Sequence, residues 1–200
     1  MATYKKQLKD QNGDNIIPAL GTATVTSTNI DWSTMSFELV SDTTIAANSS
    51  SSATIDIPID LVTYRKLTID FTYEASSGSS AWGTVKALDS SKGTVNVHQV
   101  GMEVGPNATT INRNGDQIIA YGCGSNAISH ASIELSRADI GNYPAFVADG
   151  YGGMTGTTIS DVKTQKFSGR VQAQAQLVKY IRFMVPYAKA GGHVIVYGIR

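Results

Sequence analysis

Two neighbouring stretches, TIDIPIDL and RKLTIDFTYE, alternate apolar and polar residues without a break. Ile55, Ile57, Ile59 and Leu61 fall on one side of the first, against Thr54, Asp56, Pro58 and Asp60. In the second, Leu67, Ile69, Phe71 and Tyr73 oppose Lys66, Thr68, Asp70 and Thr72. A period of two places successive side chains on opposite sides of a strand, so each stretch predicts a strand with one buried and one wetted face. Pro58 cannot donate to a ladder, which makes the first an edge strand or a bulge. Shorter runs of the same kind are expected at residues 84–88, 94–100, 117–121, 131–135, 180–187 and 193–199. Between them lie turn-rich pieces such as GPNATTINRNGD and GNYPAFVADGYGGMTG. Short strands punctuated by Gly, Asn, Asp and Ser read as an all-β chain, a jelly-roll-like β-sandwich. No strand is paired with a crossover helix at a regular repeat, which argues against α/β architectures.

Composition agrees. Forty of the 200 residues are Ser or Thr and 19 are Gly, while charged residues make up only 16%. That balance favours strands and turns over helices. The segment RVQAQAQLVKYIRFMV is ambiguous, since its apolar residues also fall near helical spacing. It is read as two strands, residues 171–174 and 178–187, with a helix over part of it as the alternative. The first 45 residues differ from the rest. They contain the hairpin signal Asn12-Gly13 and a Thr-rich stretch, and the serine-rich break AANSSSSA follows them. The chain is therefore divided into an N-terminal segment, residues 1–45, and a sandwich domain, residues 46–200.

Sixteen basic and sixteen acidic side chains cancel, so no basic excess marks a nucleic-acid surface. Charge is uneven along the chain. Residues 161–200 hold seven basic side chains against the single acid Asp161, leaving the first 160 correspondingly acidic. No apolar run approaches the length of a membrane span, and the polar start MATYKKQLKDQNGDN carries no export signal. These features lead to the expectation of a chain assembled in a cytoplasm, without membrane insertion.

Chemistry-bearing patterns are sparse. His98, His130 and His193 are isolated, and the single cysteine, Cys123, allows neither a disulfide within the chain nor a multi-cysteine zinc site. Asp10, Asn12 and Asp14 imitate the opening of a calcium loop, but Gly21 stands where that loop needs its bidentate glutamate. Gly122, Gly124 and Ala127 imitate a dinucleotide fingerprint, yet ISHASIEL is too β-branched to supply the required helix. A Cys123–His130 pair and the carboxylates Glu103, Glu134, Asp139, Asp149 and Asp161 are candidates by type only, without spacing that joins them. The expectation is no enzyme, no metal and no cofactor. What remains is loop aromatics: Trp82 after SSGSS, Tyr121 flanking a loop, and Tyr143 and Tyr151 within the Gly-rich GNYPAFVADGYGGMTG are the candidate ligand contacts, since aromatic faces and nearby polar groups suit saccharides.

Three pieces resemble one family. KKQLKDQNGDNIIP is similar to the N-terminal segment of tailed-bacteriophage fibre and minor structural proteins, NIDWSTM resembles a junction in the same proteins, and KYIRFMVPYAKAGGHVIVYGIR resembles the terminal strand pair of phage β-sandwich head domains. The resemblance covers about 45 residues at the two ends. It implies a virion surface protein, assembled in the host cytoplasm, that docks on other virion structural proteins through its N-terminal segment. Leu8, Ile16, Ile17, Pro18, Ile30 and Trp32 would carry that attachment. It further implies a homotrimer whose sandwich binds a host-surface glycan, as in a tail fibre or baseplate tip. A structural head fibre or capsid-decoration protein without receptor binding is the alternative. The chain departs from full-length fibres in having no collagen-like stretch, heptad coiled coil or long β-helix.

Overall fold

The computed structural model describes residues 37–50, 52–76, 81–104, 109–123, 128–137, 141–153 and 162–200, with side-chain surroundings for all of these but 81, 82, 103, 104, 109–114, 121–123, 153, 162 and 163. These residues form two antiparallel sheets packed together. The larger contains β1 (Glu38–Ile45), β3 (Lys66–Glu74), β6 (Val97–Val104), β7 (Thr109–Gly115), β9 (Ile128–Arg137), β10 (Pro144–Gly153), β11 (Val162–Val171) and β13 (Gly192–Ile199). Its spatial order is β1-β13-β3-β9-β10-β11-β6-β7. The smaller contains β2 (Thr54–Pro58), β4 (Ala81–Leu88), β5 (Thr94–Val95), β8 (Ile119–Cys123) and β12 (Tyr180–Met184). It runs β2-β12-β4, with β5 and β8 sharing the far side of β4. The all-β sandwich expected from the alternation is the architecture found. Among the described residues, no helix is long and apolar enough to cross a membrane.

The core follows from the period-two pattern. Leu67, Ile69, Phe71 and Tyr73 of β3 are all buried, while Lys66, Thr68, Asp70 and Thr72 face outward. Phe71 meets Phe183 of β12 across the sandwich, ring centroids 4.7 Å apart and planes 24° from parallel. Ile57, Val85, Ile119, Ile133, Ile181 and Val196 fill the surrounding layer. Apolar groups on both inner faces leave water together, and that transfer is the main stabilising term of a sandwich. β2 is an edge strand, as Pro58 requires, and it ends there. Ile59 and Leu61 are buried beyond it, where the Asp60 carboxylate accepts the N–H groups of Val62 and Thr63 and turns the chain.

Several expectations are corrected by the strand pairings. Residues 141–156, expected to be a Gly-rich turn region, contain the whole of β10, a strand paired on both sides within the larger sheet. Its Gly150 marks a close approach and not a turn, because a Cβ there would lie 2.9 Å from Ile119 Cδ1 and 3.1 Å from the His130 carbonyl oxygen. β7 likewise occupies most of the piece GPNATTINRNGD. Glu38–Ile45, inside the stretch assigned to the N-terminal segment, is a strand of the larger sheet and pairs with β13; the compact unit starts at Ser36. Between residues 171 and 187 only Tyr180–Met184 is a strand, preceded by a single 3₁₀ turn, Ala175–Leu177. Ala175 is anchored there by burial and by its N–H, which donates to the Asn142 carbonyl.

The register sorts the strand ends. β1, β3, β6, β8, β10 and β12 finish, and β2, β4, β7, β9, β11 and β13 begin, at one end of the sandwich. β1 begins and β13 finishes at the opposite end.

The widened half of the larger sheet depends on backbone approach at glycine. A Cβ on Gly169 of β11 would fall 2.1 Å from the His98 carbonyl oxygen and 2.8 Å from Phe146 Cζ. The substitution Gly169→Ala is therefore expected to cost about 1–3 kcal/mol in urea unfolding. Gly115→Ala, at a position with open space around it, should be nearly neutral. Equal effects would contradict this account.

Candidate functional site

The outward face of the larger sheet is laid out in rows, because directly paired residues of antiparallel strands point to the same side. One row runs His193, Thr72, His130, Tyr151, Thr164 across β13, β3, β9, β10 and β11. The next, two residues along each strand, runs Ile195, Asp70, Ser132, Asp149, Lys166 and continues to Met102 of β6. Alternation in β9 supplies this face: Ala131, Ile133 and Leu135 are buried, which turns His130, Ser132 and Glu134 outward.

His130 is the middle of the first row and Tyr151 its neighbour. Tyr151 is 42% exposed, and its ring stacks on the imidazole of His130, centroids 5.3 Å apart and planes within 12°. Around the pair the polar groups are tied down in part. Ser132 Oγ donates to Asp70 Oδ1 at 2.7 Å, and Lys166 Nζ lies 3.4 Å from Asp149 Oδ1. His193 Nδ1 shares a hydrogen bond with Asp42 Oδ1 at 2.8 Å, and Lys66 pairs with Glu134 at 2.9 Å. Burial holds the His130 pKa below its ordinary value, an effect that the nearby Asp70 carboxylate offsets only in part. Burial thus favours the uncharged imidazole, and the Tyr151–His130 pair is an aromatic surface bordered by carboxylates and hydroxyls.

Two further surfaces stand out. On β6, β10 and β11 the exposed apolar residues Val100, Met102 and Val147 line a groove of about 380 Å³ together with Lys166 and Ser168. On the outer face of the smaller sheet Arg182 grips Asp56 through Nε at 2.6 Å and Nη2 at 2.9 Å, and Lys92 adds a third contact at 3.1 Å. The hydrogen bond from Arg182 is the main reason that the Asp56 carboxyl is held down at about 2. A carboxylate saturated by two cations binds strands together and has no free valence for a ligand.

The four aromatics singled out from the sequence do not converge. Tyr143, just before β10, and Tyr151, near the far end of that strand, stand eight residues apart, about 26 Å along an extended chain. Tyr143 carries the Arg170 guanidinium 5.4 Å above its ring. Trp82 and Tyr121 lie on adjoining strands of the smaller sheet, paired with Gly122 and Gly83 respectively; their side chains fall outside the described residues. Phe146, their neighbour in the sequence pattern, is a core residue. The attachment candidates Leu8, Ile16, Ile17, Pro18, Ile30 and Trp32 fall outside the described residues, as do Asp10, Asn12 and Asp14. Among the described residues, no three His, Cys, Asp or Glu side chains come together as metal ligands. Asp70, Thr72, Ser132 and Lys166, which frame Tyr151, carry no motif. Their signal lies in the alternation of β3 and β9 joined to a register that the sequence does not spell out.

Comparison of the chain with models of protein families, with curated proteins and with solved structures finds no match.

The depressed pKa of His130 has a defined consequence for stability. Below its ordinary value of 6.5 the unfolded chain takes up a proton that the native site resists, so stability present above that pH is lost as the pH falls through it. Denaturant titrations between about pH 7.5 and 5.5 should show a steeper fall for the parent chain than for His130→Gln. Parallel pH profiles would show that the imidazole is not desolvated.

Proposed function

We propose that this chain is a bacteriophage virion surface protein of the tail-fibre or baseplate-tip type, a non-enzymatic homotrimer that binds a host cell-surface saccharide. The N-terminal segment, with Leu8, Ile16, Ile17, Pro18, Ile30 and Trp32, would hold the particle. The observation that carries the reading is the exposed Tyr151–His130 stack, a flat ring pair set among carboxylates and hydroxyls. Sugar rings present C–H groups to such a surface and hydroxyls to its border. Weak sites of this kind gain strength by repetition on one particle.

The strand order supports a jelly-roll reading of the sandwich. Taken in chain order, β1, β2, β3, β4, β8, β9, β12 and β13 divide into β1-β13-β3-β9 and β2-β12-β4-β8. Each group joins early and late strands, as two nested Greek keys do. β5 to β7 and β10 to β11 then count as additions that widen the first sheet. In this reading the first and last strands, β1 and β13, are neighbours, with β1 beginning and β13 finishing at one end of the sandwich.

A second reading, a structural head-fibre or capsid-decoration protein with no receptor, is favoured by one observation. Val100, Met102 and Val147 form a contiguous exposed apolar patch, the kind of surface that subunits cover. Light scattering on the full chain, run beside a glycan array, separates the readings. The receptor reading expects a mass near three times 21.2 kDa and saccharide binding that Tyr151→Ala weakens by about tenfold or more. A trimer that binds no glycan would favour the structural reading, and a monomer would count against both.

A further inference from the structure

We infer that the ligand of the Tyr151–His130 surface is a neutral saccharide presenting a vicinal diol, and that acidic saccharides are excluded from it. The inference rests on the saccharide-binding reading above and concerns the same site.

The groups that border the stack set what it can accept. One step along the strands from His130 and Tyr151, about 7 Å away, lies the row Asp70, Ser132, Asp149 and Lys166. A pyranose ring resting on the aromatic pair would place its rim over this row. The row is dominated by hydrogen-bond acceptors. Asp70 has one oxygen occupied by the Ser132 hydroxyl, and among the described residues no cation is paired with it. Asp149 is only loosely held, with its carboxylate 53% and its partner Lys166 68% exposed. An ionised carboxylate accepts through two oxygens and donates nothing. Its natural partner is a pair of adjacent O–H donors, and charge-assisted hydrogen bonds of this kind are the stronger class. Ser132 between the two carboxylates, with Thr72 and Thr164 beside the rings, adds hydroxyls that can serve further sugar oxygens.

The same groups act against anions. Asp70 and Asp149 border the stack with Lys166 as the one cation in their row, and Asp42 lies beyond His193. Burial works against a counter-charge on His130. A sialic acid or uronate placed here would bring its carboxylate against carboxylates, and like-charge juxtaposition of this kind is a device for rejecting wrong partners.

The experiment is an array carrying neutral galactosyl, glucosyl and mannosyl glycans beside sialylated and uronic ones, probed with the full chain, with Asp70→Asn and with Tyr151→Ala. Melting curves show that each variant is folded. The expected result is binding confined to neutral glycans, lowered about tenfold or more by Asp70→Asn and also lowered by Tyr151→Ala. Binding confined to acidic glycans, or neutral binding that Asp70→Asn leaves unchanged while Tyr151→Ala removes it, overturns this inference and leaves the receptor reading standing. Neutral binding that neither variant changes places the ligand elsewhere and overturns the inference too. Silence toward every glycan overturns the receptor reading and the inference together.

Discussion

The contact between Phe71 and Phe183 is the constraint on which the rest depends. These two rings come from different sheets, lie 112 residues apart in the chain, and stack across the sandwich. A sheet can turn one face to water only if the other is buried, and a one-residue slip would exchange the two faces. Seating Phe71 against Phe183 fixes which face of β3 is inside. Leu67, Ile69 and Tyr73 follow it inward, and Asp70 and Thr72 must then face out. Because β3 pairs with both β9 and β13, the choice passes across the larger sheet to His130, Ser132 and Tyr151.

The polar face is therefore a product of the core. Its rows are straight because the described pairings from β13 through β11 show no register shift, whereas an irregularity falls at the sheet's edge, between Leu39 and Ser41. Glycine has a separate part in this. Gly150 and Gly169 let β9, β10, β11 and β6 approach one another where side chains would collide, and so extend the sheet past the area that β2, β12 and β4 cover. The added strands bring Tyr151, Lys166 and the groove at Val100 and Met102 onto the same broad surface as Asp70 and His130.

Much of the fold was legible in the residues. The alternation of TIDIPIDL and RKLTIDFTYE, the edge position of Pro58 and the all-β class follow from local pattern, and the structure contains each. β10 and β7 were not legible, for a physical reason. Their glycines, asparagines and Pro144 carry turn chemistry in isolation, whereas here tertiary pairing and close backbone approach override that preference. The candidate site was legible in part. Tyr151 stands out as an aromatic among glycines, but its partners come from β3, β9 and β11, and only the register brings them together. Tyr143 and Tyr151 look like one cluster in the sequence and are held apart by most of the length of β10.

The central claim is that one inter-sheet contact sets the faces of the larger sheet, and a double-mutant cycle on Phe71→Leu and Phe183→Leu tests it most directly. Leucine keeps both positions apolar and removes the ring stack. The account predicts a coupling of about 1 kcal/mol in equilibrium unfolding. Purely additive stability effects would show that the two rings act independently and that the faces of the sheet are set elsewhere.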